Sequence, residues 1–173
     1  MVKNKMNKYN ITKKNNIKND SLNKPSNIKI DNLNEEINEM MTSDLKLYDS
    51  FEELNLKENL LRGIYSYGFK MPSKIQSYAI PLMINRNDLI AQSQSGTGKT
   101  GAFTIGVLNV IDETNKYPQA LIICNTHELA TQIQTVIQEL SKYMDVKITL
   151  LIGGIPIRNN IEDLKTSQIM VGT

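Results

Sequence analysis

Residues 93–100 read Ser-Gln-Ser-Gly-Thr-Gly-Lys-Thr, and their types and spacing suit one kind of chemistry, the holding of a polyphosphate. Gly96 and Gly98 let the backbone take positive φ and approach a ligand closely, so successive N–H groups from Ser95 through Thr97 to Thr100 can face phosphate oxygens at the start of a helix. Lys99 is suited to the β and γ phosphates, and Thr100 offers a hydroxyl to a Mg²⁺ ion held between them. The phosphate-loop signature G-x-x-x-x-G-K-[ST] opens on Gly, whereas this chain has Ser93, which is also small. The plain alternative is a glycine-rich turn with no ligand. An apolar strand before the loop and a helix after it weigh against that alternative.

Hydrolysis asks for more than a cradle: an acid at a strand end to hold Mg²⁺ through water, and a group that orients the attacking water. VLNVIDE, ending at Asp112 and Glu113, imitates such a strand. Asp112 lies thirteen residues after Lys99 on the helix leaving the loop, which puts it about 20 Å from the phosphates at 1.5 Å per residue. It reads as a helix end. No other apolar strand in the sequence ends in an acid, so the hydrolytic half of the site is expected to be missing from this chain. Cys124, the single cysteine, sits in the apolar run ALIIC, where a buried reduced thiol is expected rather than a nucleophile or ligand.

The elements that must position the loop follow from apolar spacing. Leu56, Leu60 and Ile64 share a helical face, with Asn55 and Glu58 as N-cap and N3 and a stop near Gly68. Pro72 and Ser73 open a second helix carrying Ile75, Ala79 and Leu82, with Pro81 bending its last turn. DLIAQ is a strand, followed by the loop and a helix from Lys99 with a stripe of Phe103, Gly106, Val107, Val110 and Ile111. ALIIC is the next strand. Asn125 and Glu128 cap a helix bearing Leu129, Ile133, Val136, Ile137 and Leu140, before a strand VKITLLI that ends at Gly153 and Gly154. A short helix around Ile161 and Leu164 and a strand QIMV follow. Apolar strands alternating with helices imply an α/β fold in three layers, with a mostly parallel sheet covered on both faces.

Composition divides the chain. Residues 1–40 hold eleven Asn and eight Lys, and residues 1–30 carry a net +7, which leaves −5 for residues 31–173 out of the whole-chain +2. Such a tract buries too little apolar surface to offset its ordering entropy, so residues 1–43 are expected to form a disordered leader without packed structure. Residues 44–173 are enough for one domain. No apolar signal segment and no run of eighteen apolar residues is present, which points to an intracellular protein, cytoplasmic or nuclear.

Residues 51–84 resemble the Q motif of DEAD-box RNA helicases, with residues 93–100 as motif I. The body looks like the N-terminal part of their first RecA-like domain, nearest to the branch of translation initiation factor 4A and the exon-junction complex. The resemblance implies ATP and Mg²⁺ as cofactors and assigns the adenine to Phe51 and Gln76. A Gln amide offers one donor and one acceptor to the base, and a phenyl ring can cover it. Ser73 to Gln76 also fits a capping box, a role compatible with the first. The family's Pro-Thr-Arg-Glu-Leu-Ala motif stands here as Asn125-Thr-His-Glu-Leu-Ala130, implying RNA contacts for Thr126 and His127. His127 replaces a permanently charged Arg. Gly153 and Gly154 match a Gly-Gly motif that approaches RNA. Met71 stands where close relatives often carry Lys, a change expected to weaken ATP binding modestly, and Val171-Gly-Thr173 matches the start of a motif that continues Pro-Gly-Arg.

The implied function is that of an N-terminal fragment of an ATP-dependent RNA helicase, which couples ATP binding and hydrolysis to RNA binding and the unwinding of short duplexes. The fragment alone is expected to be inactive. Partners would be RNA, single-stranded or a short duplex, and protein scaffolds or regulators. The alternative is a diverged or truncated helicase half that binds RNA or a scaffold without catalysis.

Overall fold

The computed structural model describes residues 10–13, 46–154 and 157–173. Its elements are β1 (Asn10–Lys13), a 3-10 turn (Glu52–Leu54), α1 (Glu58–Ser66), α2 (Lys74–Ile84), β2 (Leu89–Gln92), α3 (Lys99–Val110), β3 (Ala120–Ile123), α4 (His127–Leu140), β4 (Ile148–Leu151), α5 (Ile157–Leu164) and β5 (Ile169–Gly172). The expected α/β alternation is therefore observed. β5 lies between β3 and β4 in a parallel sheet, in a register that sets Ala120 and Ile148 on either side of Ile169.

Two expectations about the sheet are corrected. β2 does not join the parallel strands; it pairs antiparallel with β1, Asn10 opposite Gln92 and Lys13 opposite Leu89. The leader thus contributes a strand where no packed structure was expected, and the rest of it lies outside the described residues. An unpaired strand edge offers N–H and C=O groups that a short extended segment can satisfy without a core of its own, and Ile11 and Thr12 are β-branched. The second face of the parallel sheet is also not fully covered. Leu121 and Ile123 of β3 are 58% and 74% exposed.

The core lies on the other face. Ile169 and Val171 meet Ile133, Ile137 and Leu140 of α4, Ile105 and Leu108 of α3, and Leu60 and Ile64 of α1, all buried. Each such side chain contributes about 1.5–3 kcal/mol when fully buried. The stripe expected on α3 is only partly right: Phe103, Val107 and Val110 are half-buried, while Ala102, Thr104, Ile105 and Leu108 are buried. A helix apolar on most faces sinks into the core instead of showing one stripe.

Helix ends decide where the site residues fall. Asn55 does not cap α1; it takes a left-handed conformation (φ 52°) that ends the 3-10 turn, and Lys57 occupies the N-cap position. Lys57 turns instead to α3. Its N–H bonds Asn109 Oδ1 at 2.9 Å, and its ammonium donates to the Leu108 and Ile111 carbonyls at the helix C-terminus, where a cation is favoured. α1 closes with Gly68 at φ 101°, Gly68 N–H bonding Tyr65 O and Phe69 N–H bonding Ile64 O. This left-handed glycine cap turns the chain back so that Phe69 packs against the core cluster.

Candidate functional site

The loop between β2 and α3 carries Gly96 at φ 77° and Gly98 at φ 97°, and α3 begins at Lys99. The first bond along this helix runs from Ala102 N–H to Gly98 O, so the N–H groups of Lys99, Thr100 and Gly101 precede the helical ladder and remain available at its positive end. They border a cleft of about 310 Å³ lined by Ser95, Gly96, Gly98, Lys99, Thr100 and Gly101 from the loop and helix, by Tyr67 and Phe69 from the segment after α1, and by Val136. The lining thus combines N–H groups and a lysine with two aromatic rings, and the Phe69 ring lies against Gly101, where a Cβ would stand 3.1 Å from it.

Gln76 is buried beneath this loop, 3% exposed. Ser73 occupies the N-cap position of α2, and Ser73 N–H bonds Gln76 Oε1 at 2.8 Å, the glutamine arm of the expected capping box, while the buried Ser73 hydroxyl has no partner among the described residues. Gln76 Nε2 donates to Gly98 O at 3.3 Å. The carbonyl and one amine hydrogen are therefore engaged by the protein, leaving one amine hydrogen for another partner. The approach is close because Gly98 and Gly101 lack side chains: a Cβ would stand 2.9 Å and 2.7 Å, respectively, from Gln76 Nε2.

Phe51 does not face the cleft. It is fully buried, stacks on Phe69 with centroids 6.2 Å apart and interplanar angle 24°, and meets Tyr65 edge-on. Phe69 in turn meets Tyr67 at 5.0 Å. The ring exposed to the cleft is one stacking step further out than the sequence reading placed it. Phe69 was missed, although its position just past the Gly68 helix stop was a usable signal.

Lys99 Nζ is turned onto its own loop, donating to Ser93 O and, at 2.7 Å, to Gln94 O. Ser93 and Thr97 hydroxyls lie 2.7 Å apart, and Thr97 also donates to Gln94 O at 2.8 Å. Asp112 follows the far end of α3 as expected. Its carboxylate accepts from the N–H and hydroxyl of Thr114, which hold it below the usual aspartate range. Among the described residues no group of three or more His, Cys, Asp and Glu could hold a metal ion.

A second corner assembles at the start of α4. Thr126, not Asn125, is the N-cap, its Oγ1 accepting from Leu129 N–H at 3.1 Å. The shift by one residue leaves the Thr126 hydroxyl proton free to donate elsewhere. His127, exposed at the first helical position, stands 3.3 Å from where a Gly153 Cβ would be, so the two motifs meet. Gly153 and Gly154 are exposed, and Gly154 has φ 92°. Met71 is 63% exposed.

Residues 73–173 match the family model described as DEAD/DEAH box helicase. The chain belongs to the DEAD/DEAH box helicase family. It is 52% identical over 139 residues to the ATP-dependent RNA helicase eIF4A of Eremothecium gossypii, covering 80% of this chain and 35% of that one. It is 48% identical over 136 residues to the ATP-dependent RNA helicase FAL1 of Scheffersomyces stipitis, covering 79% and 34%. The chain thus spans about a third of the length of these DEAD-box relatives. Among solved structures it is similar to a DEAD box protein from the hyperthermophile Methanococcus jannaschii, with TM-score 0.67, 36% identity and coverage of 73% and 35%. It is also similar to Saccharomyces cerevisiae Dbp5 bound to RNA and ADP BeF3, with TM-score 0.64, 36% identity and coverage of 73% and 32%. The α/β, RecA-like class expected from the sequence is the class of these DEAD-box structures. No described helix is long and apolar enough to cross a membrane.

Proposed function

We propose that this DEAD-box chain is the adenine-nucleotide-binding part of an ATP-dependent RNA helicase, with residues 44–173 as a partial RecA-like domain. The observation that carries the reading is the lining of the cleft: the rings of Tyr67 and Phe69 beside the α3 N-terminus and Lys99. Phosphates would lie against the N–H groups of residues 96–100, with Lys99 on the β and γ oxygens. Phe69 would cover the base in place of Phe51, which supports it from behind, while Gln76 offers its remaining amine hydrogen and fixes the loop from below. Mg²⁺ suits Thr100, because this ion keeps most of its waters and takes one or two protein oxygens together with phosphate.

RNA would meet the corner of Thr126, His127, Gly153 and Gly154, where the exposed helix start can donate to a backbone phosphate and bare glycines allow close approach. Protein scaffolds or regulators are further partners of the whole protein under this reading. The chain alone would bind nucleotide without turning it over, since none of the described strands ends in an acid beside Thr100. Nucleotide turnover by the 173-residue chain, with and without RNA, tests this: the expected result is binding of Mg·ADP with no hydrolysis of Mg·ATP above a Lys99→Ala control. RNA-stimulated turnover would overturn it.

A further inference from the structure

The hydroxyls of the phosphate loop form a directed chain. Thr97 has one hydroxyl proton and gives it to Gln94 O at 2.8 Å, so in its 2.7 Å contact with Ser93 it must accept, and Ser93 must donate. The Gln94 carbonyl therefore receives the Thr97 hydroxyl and the Lys99 ammonium together, while the Ser93 carbonyl receives Lys99 as well. Bonds in such a chain polarise one another. The outcome is a set of two carbonyls fixed facing Lys99 by the Ser93 side chain.

We infer that Ser93 is a latch: its hydroxyl holds the loop in the arrangement in which Lys99 is bound by the loop's own carbonyls, and a nucleotide must undo that arrangement to draw Lys99 onto its phosphates. An ammonium has three N–H groups, and two are on Ser93 O and Gln94 O. Engaging both a β and a γ oxygen takes two, so at least one carbonyl must be released. With Ala or Gly at position 93 the chain would have no first donor and the carbonyls would be held by Thr97 alone. The latch rests on the nucleotide reading of this cleft and adds to it a residue that limits affinity and sits outside the cleft's lining.

The test uses the whole chain and Ser93→Ala, Thr97→Val and the double variant. Without nucleotide, amide hydrogen exchange across residues 94–98 is expected to quicken in Ser93→Ala; unchanged exchange would overturn the latch whatever the cleft binds. With a fluorescent ADP and Mg²⁺, Ser93→Ala is expected to bind roughly 2- to 10-fold tighter, the value of one net hydrogen bond. In the Thr97→Val background Ser93→Ala is expected to change nothing, because the acceptor of its bond is already gone. Unchanged or weaker binding in Ser93→Ala, or an equal gain in both backgrounds, would overturn the latch. Quickened exchange in a chain that binds no ADP in any variant would instead overturn the nucleotide reading, and the gating role with it.

Discussion

The phosphate loop and the His127–Gly153 corner both stand where a helix meets a glycine-bearing turn, yet they are finished to different degrees. At the loop, Gln76 bonds the Gly98 carbonyl, Ser93 bonds Thr97, Thr97 bonds the Gln94 carbonyl, and Lys99 bonds two carbonyls. At the corner, Thr126 caps its helix while His127, Gly153 and Gly154 remain exposed around it. Such a loop is ordered before a ligand arrives, and a compact, highly charged ligand can replace the Lys99 bonds that it must release. An open corner suits a ligand that is a chain and is met mainly through its backbone.

The contrast can be broken most severely from behind the cleft. Phe51→Ala removes a fully buried ring that supports Phe69 and is expected to lower stability by about 3–5 kcal/mol in urea unfolding, with the corner lost along with the cleft. Lys99→Ala should separate the two regions. ADP affinity is expected to fall about 10- to 100-fold, as for a lost charge-assisted bond, while RNA binding measured without nucleotide stays unchanged. Phe69→Ala, read in the same ADP titration, is expected to cost about 5- to 50-fold through lost stacking, with a smaller loss of stability than Phe51→Ala. That order of stabilities is what distinguishes the ring in the cleft from the ring behind it.

Smaller effects sharpen the comparison at each end. Lys57→Met removes the ammonium from the Leu108 and Ile111 carbonyls and is expected to lower the unfolding free energy by about 1 kcal/mol. Its effect on ADP should be slight, since it acts at the far end of α3. His127→Arg is expected to raise affinity for a short single-stranded RNA roughly 2- to 5-fold at low salt, with the gain shrinking as salt rises.

The phosphate loop was legible because its requirements are local: glycines where φ must be positive, a lysine and a threonine at the helix start. Gln76 was legible for the same reason, since Ser73 and Gln76 lie one turn apart, although its burial under Gly98 depends on a contact 22 residues away. Which ring borders the cleft was not legible, because Phe51 and Phe69 are both apolar rings near one helix; Phe51 is buried and Phe69 lines the cleft. The turn at Gly68 brings Phe69 back against the core cluster that holds Phe51. Two caps were misplaced, Asn55 and Asn125, by neighbours that took the N-cap position, Lys57 and Thr126. The pairing of β1 with β2 was not legible at all, because an open strand edge selects its partner by backbone bonding and leaves no mark in the partner's hydrophobic pattern.

Under the proposed function, the cleft between Phe69 and Lys99 is built for an adenine nucleotide. Calorimetric titration of the whole chain with Mg·ADP and with Mg·GDP, repeated on Lys99→Ala, addresses it directly. Under that reading, saturable binding of ADP, clearly weaker binding of GDP, and loss of the ADP signal in the variant are expected. Equal affinity for the two nucleotides, or ADP binding that survives Lys99→Ala unchanged, would contradict it.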